Sequence, residues 1–332
     1  MAQLQTENIQ NILEVFIRYQ YAANADLTLG QVHQLDTRTY RLHPDIVTFL
    51  TQERDRIREV LRHELNNPSA SNQQSLVSLF VTTTKEFIYQ QNQFVSLSAK
   101  DQAELVGLYR QFLADTINIL TEDRNPQEIE QLYQVVLEDH FHYLKTFIAN
   151  LGQSQGANLI YQQVVCEEYP ASLQLKILGI DRKTLQEPIL DIGCGKHGTL
   201  VTYLREYGLD AYGIDRLVMP LEYLIETDWL DFQFDPSAWG TIISHMAFSN
   251  HFTFHHLYRN GTPEIYAKKY IEVLASLKPG GDMFYAPGLP FIEQLLPATN
   301  FTVTSKNVYV SEQDKPPGFQ SVYATKIKKL PA

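Results

Sequence analysis

The sequence predicts an α/β protein in which a mostly parallel sheet follows an all-helical N-terminal domain. Apolar residues recur at three- and four-residue spacing up to about residue 153, as in amphipathic helices. Beyond that point, short β-type runs alternate with helical windows, which is typical of a parallel sheet built from βα units. A length of 332 residues also favours two domains, which we place at residues 1–155 and 156–332.

The N-terminal half predicts at least five helices. The first helix has its apolar stripe on Ile9, Ile12, Leu13, Phe16 and Ile17. A second helix follows Pro44, and a third covers residues 76–94. A fourth begins after Ser98 as its N-cap, and a fifth begins at Pro126. Glu138, His140 and His142 are expected to be solvated or capping residues of the last of these helices. We expect this domain to cover the substrate or to mediate homodimerisation, packed over the mouth of the α/β domain.

Strands are predicted over residues 188–192, 211–214, 241–246 and 282–286. Two further runs, residues 301–310 and 320–326, have no helix between them, and this predicts an antiparallel pair at the sheet edge. The expected fold is therefore a mostly parallel sheet with a reversed last strand.

Composition and charge narrow the classes of function. The net charge of −11 argues against a broad surface for nucleic acid, because such surfaces cluster lysine and arginine. The basic cluster at Lys326, Lys328 and Lys329 is interpreted as a solvated end. No run approaches the roughly 18 apolar residues that a membrane span needs, and the N-terminus has no signal-peptide pattern. We therefore expect no membrane partner and a cytoplasmic location.

The two cysteines, Cys166 and Cys194, indicate neither a disulfide framework nor a cysteine-based zinc site. We expect no bound metal. His251 and His255 have the i, i+4 spacing of helix-borne ligands, but no acid accompanies them at a matching spacing.

The segment 187–216 carries the most informative motif. An apolar strand containing Asp191 ends in a glycine-rich turn, Gly193-Cys194-Gly195, which a helix follows. Glycine suits this turn because the backbone must bend sharply and let a ligand approach. The next strand ends in Asp215, where an acid accepts hydrogen bonds from ribose hydroxyls.

Two cofactors fit this motif on spacing alone. With Gly198, the glycines also satisfy the G-x-G-x-x-G fingerprint of dinucleotide-binding proteins, so NAD is one candidate. The carboxyl group of Asp191 disfavours it, because a pyrophosphate would be repelled, whereas a cationic methionine moiety would not. A purely structural glycine turn is the remaining alternative, and Cys194 is interpreted as a small packing residue rather than a nucleophile.

The acid two residues before the first glycine, the glycines and Asp215 resemble the class I S-adenosylmethionine (SAM)-dependent methyltransferases, a Rossmann-like superfamily. Asp228 matches the acid that family members place against the adenine amino group, and residues 277–281 read L-K-P-G-G, a family signature. The sequence departs from the common G-x-G-x-G pattern at His197, which takes the third glycine position. The resemblance implies SAM as cofactor, held by Asp191, Gly193, Cys194, Gly195, Asp215, Arg216, Asp228, Trp229 and Ser244.

The substrate side is expected after the fourth strand, because ligands of such sheets lie beyond the carboxyl ends of the strands. Four of the ten histidines fall in residues 244–256. Histidine is a general base near neutral pH, so His245 and His251 are the catalytic candidates, unless these histidines only cap or face solvent. The expected substrate contacts are Phe248 and His255 together with Glu168 and Tyr169, which precede the first strand.

The preferred function is SAM-dependent O- or N-methylation of a small molecule, peptide or natural product. The alternatives are an NAD-dependent oxidoreductase and a SAM-binding regulator without chemistry.

Overall fold

The computed structural model describes residues 2–34, 43–66, 75–121, 124–155, 168–258, 261–308 and 322–331. The chain divides into two compact units, Met1–Cys166 and Glu167–Ala332. The predicted boundary between residues 155 and 156 lies at the edge of the undescribed residues 156–167.

The first unit is helical throughout its described residues. Its helices are α1 (Ala2–Ala23), α2 (Leu29–Gln34), α3 (Ile46–Gln52), α4 (Arg54–Asn66), α5 (Leu76–Gln91), α6 (Ala99–Ile119) and α7 (Pro126–Gln155). Ser98 caps α6 as predicted, because its hydroxyl accepts from the Asp101 N–H while the Asp101 carboxylate accepts from the Ser98 N–H. The helix expected after Pro44 begins at Ile46 and is interrupted at Glu53.

Three hydroxyl groups of this unit, from Tyr21, Thr84 and Tyr109, lie within hydrogen-bond distance of one another. The hydroxyl of Thr84 donates to the Phe80 carbonyl one turn back, at 2.8 Å, which satisfies it inside α5. The Tyr21 hydroxyl lies 2.7 Å from Thr84 Oγ1 and 2.6 Å from the Tyr109 hydroxyl. His140 was expected at the surface, but it is 7% exposed and packs on Phe112, and burial lowers its pKa to about 3.

The second unit is an α/β domain with a seven-stranded sheet in the order β3-β2-β1-β4-β5-β7-β6. Its strands are β1 (Ile189–Ile192), β2 (Ala211–Asp215), β3 (Leu224–Glu226), β4 (Trp239–His245), β5 (Leu277–Ala286), β6 (Phe301–Val308) and β7 (Val322–Lys329). Its helices are α8 (Ala171–Leu178), α9 (Thr199–Glu206), α10 (Phe248–Leu257), α11 (Pro263–Ala275) and α12 (Pro290–Glu293).

The predicted strand directions are confirmed. Strands β3, β2, β1, β4 and β5 pair in parallel, whereas β7 is antiparallel to both β5 and β6. The L-K-P-G-G segment was expected as a turn before the strand, but it is the first half of β5. Leu277 pairs there with Trp239, and the register of β4 and β5 shifts between Trp239 and Thr241. The reversed last strand is thus present, with its partner β6 at the edge.

The lysine cluster was expected to be a solvated end, but it belongs to β7. Lys326 Nζ lies 3.2 Å from Asp282 Oδ2 on the neighbouring strand. Lys329 Nζ donates to the carbonyl oxygens of Ala275 and Leu277, at 2.8 and 2.6 Å. These contacts fasten the reversed strand to the end of α11 and the start of β5.

The sheet is covered on both faces, which explains why its central strands are buried and mostly apolar. One core cluster includes Leu175 of α8 and Leu200 of α9, and the other includes Phe248 of α10 and Tyr270 of α11. Each fully buried side chain of this size contributes roughly 1.5–3 kcal/mol relative to an exposed one. The helices on the two faces leave the carboxyl edge of β1, β2 and β4 to the loops that carry the predicted site.

No helix of the described chain segments is long and apolar enough to cross a membrane.

Candidate functional site

The glycine-rich turn lies directly after β1, and its shape requires glycine. Gly193 and Gly195 have φ of +77° and +78°, in the left-handed region that other residues rarely adopt. A Cβ on Gly193 would overlap with that of Ala247, and a Cβ on Gly195 would lie 2.8 Å from Cδ of Glu168. Gly193 is therefore required both by its φ and by packing against Ala247, whereas Gly195 is required by its φ, because the end of the Glu168 side chain could move.

Asp215 anchors this turn from the end of β2. Its Oδ2 accepts a hydrogen bond from the Gly195 N–H at 3.1 Å, and its Oδ1 accepts one from the Leu217 N–H at 3.3 Å. Burial raises the pKa of Asp215, against the opposing effect of Arg216. The backbones of Leu217, Gly195 and Arg216 hydrogen-bond to this carboxylate, which has about four lone-pair sites, so Asp215 remains able to accept a hydrogen bond from a ligand.

Asp191 is buried in β1 and is 2% exposed. Burial and the nearby charge of Asp215 raise the pKa of Asp191 to about 8. Asp191 is therefore mostly protonated at neutral pH, and a positive charge placed beside it would favour the ionised form.

Cys194 was predicted among the cofactor contacts, but its thiol is a packing group. It is 6% exposed, and its Sγ would lie 2.7 Å from a Cβ built on Gly213 of β2. Its pKa is raised by burial first, and then by the charges of Asp191, Asp215 and Glu168. Three carboxyl groups lie at the turn, because Asp191 precedes it in β1, Asp215 accepts from the Gly195 N–H and Glu168 accepts from the His197 N–H. In the described segments, no three acidic, histidine or cysteine side chains are grouped so that they could hold a metal ion.

Ser244, another predicted cofactor contact, connects neighbouring elements in the structure. Its hydroxyl donates to the Ile192 carbonyl at 2.9 Å and accepts from the Phe248 N–H at 3.2 Å. Both interactions are buried and Ser244 is 0% exposed, so the hydroxyl holds the ends of β1 and β4 and the start of α10 together. Its hydrogen-bonding capacity is used within the fold rather than offered to a ligand.

His245 is the last residue of β4, which ends one residue earlier than predicted because Met246 turns the chain with a φ of +56°. The ring of Tyr169 packs edge-on against the His245 ring, with centroids 5.1 Å apart. Within the described residues, His245 Nε2 is buried and has no hydrogen-bond partner. Burial lowers the pKa of His245 to about 4, so the ring is neutral at pH 7.

Trp229 lies next to the turn, with its ring 3.2 Å from a Cβ built on Gly193. The Arg216 guanidinium is 6.0 Å from the Trp229 ring centroid, and the His251 ring meets it edge-on at 4.9 Å. Trp229 is buried, and its Nε1 has no partner among the residues that the structure describes. Burial, helped by the charge of Arg216, lowers the pKa of His251, so this ring is a neutral packing partner of Trp229.

Asp228 follows β3 by two residues and is partly exposed. Its Oδ1 accepts a hydrogen bond from the Leu230 N–H at 2.9 Å, which forms a local turn. This contact orients the carboxyl group of Asp228, which precedes Trp229 in the sequence.

Two residues predicted to contact the substrate, Phe248 and His255, pack against other parts of the fold. Phe248 is 1% exposed and stacks on Tyr270 in the core between α10 and α11, because it is the first residue of a helix that buries this face. His255 accepts from the Thr262 N–H at 3.3 Å and stacks on Tyr266, so it fastens the loop after α10. Both side chains therefore pack within the fold, and their contact with a substrate stays a prediction.

Sequence reasoning missed the role of His197, which it treated only as a departure from the glycine pattern. The His197 N–H donates to Glu168 Oε1 at 3.0 Å, and its ring Nδ1 lies 3.1 Å from Glu168 Oε2. The Thr199 hydroxyl donates to the same carboxylate at 3.2 Å. The only sequence signal was a polar ring in a position that glycine commonly occupies.

No family model matches the chain, and neither does any curated protein. The chain is similar to S-adenosylmethionine-dependent methyltransferases of known structure over about half of its length. One, from Methanosarcina mazei, is 14% identical with a TM-score of 0.33, and the match covers 45% of this chain and 96% of that one.

Two further similar structures contain bound ligands. Burkholderia thailandensis 1,6-didemethyltoxoflavin-N1-methyltransferase, with 1,6-didemethyltoxoflavin and S-adenosylhomocysteine, is 17% identical with a TM-score of 0.33, over 49% of this chain and 76% of that one. Haemonchus contortus phosphoethanolamine N-methyltransferase 2, with S-adenosyl-L-methionine, is 15% identical with a TM-score of 0.33, over 57% of this chain and 58% of that one. At these identities the functional argument depends on the site itself.

Proposed function

We propose that the protein transfers a methyl group from SAM to a small-molecule, peptide or natural-product acceptor. The observation that carries this proposal is the set of three carboxyl groups at the glycine-rich turn: Asp191 lies in β1 just before it, Asp215 accepts from the Gly195 N–H, and Glu168 accepts from the His197 N–H. The carboxyl groups of such a site are either negatively charged or protonated, and the site favours a ligand that brings positive charge and hydroxyl donors. The methionine moiety and ribose of SAM supply both.

The chain's own residues fit the parts of this cofactor. Asp215 ends β2, where its carboxylate accepts from backbone N–H groups and keeps capacity to accept from a ribose hydroxyl. Asp191 lies below the turn and gains stability as a carboxylate when a cation approaches. Asp228 is held by its own turn and leaves one oxygen for an adenine amino group. The bound cofactor supplies an electrophilic methyl group on a sulfonium.

The same turn is a poor site for the pyrophosphate of NAD. Dinucleotides place their pyrophosphate at backbone N–H groups where the helix after the first strand begins. Here the carboxylate of Glu168 already accepts from the His197 N–H, just before α9, and from the Thr199 hydroxyl in its first turn. Bringing a pyrophosphate there would require displacing the Glu168 carboxylate from these donors.

His245 is the best candidate to orient the acceptor. Its Nε2 is buried at the carboxyl end of β4 without a partner in the described residues, and a buried polar atom in that state favours a ligand group that bonds to it. A neutral imidazole accepts a hydrogen bond from an N–H or O–H acceptor and takes its proton as the methyl group is transferred. His251, packed against Trp229, contributes to the wall of the site rather than to proton transfer.

Calorimetric titration with SAM, S-adenosylhomocysteine and NAD tests this function directly. Asp215→Ala is expected to weaken binding of both SAM and S-adenosylhomocysteine by roughly tenfold to 150-fold, since a hydrogen bond to a charged group contributes roughly 1.5–3 kcal/mol. Asp231→Ala is the matched control, because Asp231 is an exposed acid near Asp228.

The outcomes separate the three classes of function. Binding of SAM with turnover to S-adenosylhomocysteine on a panel of amine, phenol and carboxylate acceptors supports the proposal. Binding without turnover on any acceptor supports a SAM-binding regulator. Binding of NAD but not SAM, or unchanged SAM affinity in Asp215→Ala, contradicts the proposed methyltransferase function.

A further inference from the structure

The carboxylate of Glu168 joins two parts of the second unit that are 29 residues apart in the chain. It accepts from the backbone N–H of His197, contacts the His197 ring, and accepts from the Thr199 hydroxyl. Its Cδ also packs on the bare face of Gly195. We call these contacts among Glu168, His197 and Thr199 the Glu168 clasp.

The residue next to the clasp covers His245. The Tyr169 ring meets the His245 ring edge-on at 5.1 Å, and the Tyr169 carbonyl accepts from Gln174 Nε2 of α8 at 2.8 Å. The segment is therefore fastened on one side to the glycine-rich turn and on the other to α8. His245 is only 7% exposed beneath it.

We propose that the Glu168 clasp positions Tyr169 over His245, so that the cofactor end and the acceptor end of the site are assembled as one unit. Glu168, His197 and Thr199 act through Tyr169 and are positioning residues. The assignment of a cofactor end and an acceptor end rests on the function proposed above, but the contacts themselves do not depend on it. It also explains why His197 takes a common glycine position, since glycine has no ring to contact the carboxylate.

The titration of His245 reports whether the clasp is closed. Burial lowers the pKa of His245 to about 4, and exposure of the ring to water on loss of the Tyr169 contact would return it toward about 6.5. The ring signal can be followed by ¹⁵N-histidine NMR and assigned by its absence in His245→Gln. The acidic groups nearest the clasp, Asp191 and Asp215, remain unchanged in every variant.

His197→Ala and Glu168→Ala are each expected to raise the pKa of His245 by at least one unit. Glu168→Gln keeps an oxygen for the His197 N–H but cannot accept at both positions, so its shift should be smaller than that of Glu168→Ala. The double variant Glu168→Ala/His197→Ala should shift the pKa no further than the larger single variant, because one contact is removed once. His256→Ala, an exposed histidine of α10, is the matched control and should leave the pKa of His245 unchanged.

Titration of the wild type with S-adenosylhomocysteine separates this inference from the proposed function. If the wild type fails to bind it while the clasp variants shift His245, the proposed function falls and the clasp stands. If every protein binds it and the pKa of His245 is the same in wild type, His197→Ala and Glu168→Gln, the clasp is refuted. Additive shifts in the double variant would also refute it, because His197 and Glu168 would then act separately.

Discussion

Asp191 is expected to release a proton when SAM binds. Its pKa of about 8 in the free protein means that roughly nine-tenths of the molecules carry the proton at pH 7. SAM brings a net positive charge, and a cation beside a buried carboxyl group lowers its pKa. A pKa below about 6 in the complex would correspond to release of roughly 0.8 proton per site at pH 7, and to almost none above about pH 9.5.

Calorimetry in buffers of different ionisation enthalpy measures this number, since the slope of binding enthalpy against ionisation enthalpy is the count of protons exchanged. Asp191→Asn should abolish the release, and Asp231→Asn should preserve it. S-adenosylhomocysteine lacks the sulfonium charge and should release fewer protons than SAM. A slope of zero for the wild type at pH 7, or an unchanged slope in Asp191→Asn, would refute the reasoning.

Three further predictions follow from the site. Ser244→Ala should cost roughly 1–3 kcal/mol in urea unfolding because the buried Phe248 N–H loses its acceptor, whereas Ser249→Ala, whose hydroxyl is unpartnered in the described residues, should cost much less. Gly195→Ala should weaken S-adenosylhomocysteine binding, whereas Gly208→Ala, with a φ of +79° and open space around it, should only reduce stability by about 1–2 kcal/mol. His245→Gln should lower turnover roughly 10²–10⁴-fold with cofactor affinity intact. The wild-type pH–rate profile should rise near pH 4, in place of the pH 6–7 of an exposed histidine.

The same shift in Asp191 predicts how stability depends on pH. Its pKa of about 8 in the folded protein exceeds the unfolded value of about 3.9, so the folded state binds more protons between these limits. The contribution of Asp191 to stability is therefore largest below about pH 4 and is lost as the pH rises toward 8, by up to about 1.4 kcal/mol per unit. Asp191→Asn should flatten this part of the profile in chemical unfolding, and a steeper fall in the variant would contradict the assignment.

The strands and the turn were predictable because their signals are local. Asp191 lies in one apolar run of strand length and Asp215 ends another, and the structure has β1 and β2 at those positions. The antiparallel edge pair was also predictable, because no helical window separates its two runs. Strand ends were less certain: β4 stops at His245 because Met246 adopts a positive φ, which a methionine does not signal.

The roles of individual side chains depended on contacts between distant parts of the chain. Phe248 and Ser244 lie in the segment where substrate residues were expected, yet one is in the core and the other holds strand ends together. The contact of His197 with Glu168 spans 29 residues, so no spacing rule could have found it. Packing of the helical domain over the site, and its role in dimerisation, stay predictions.

The glycines of the turn are weaker support for a ligand than the sequence pattern indicates. Gly193 faces Ala247 and Trp229, and Gly195 faces Glu168, so the fold alone requires both. These contacts would maintain the shape of the glycine-rich turn even in a protein that bound no ligand. The inference of a cationic cofactor depends instead on Asp191, whose raised pKa reflects a buried acid beside Asp215. A protein that did not need this acid would gain stability at neutral pH by replacing it with asparagine, so weaker SAM binding in Asp191→Asn together with a gain in stability would show that the carboxyl group is retained for the ligand.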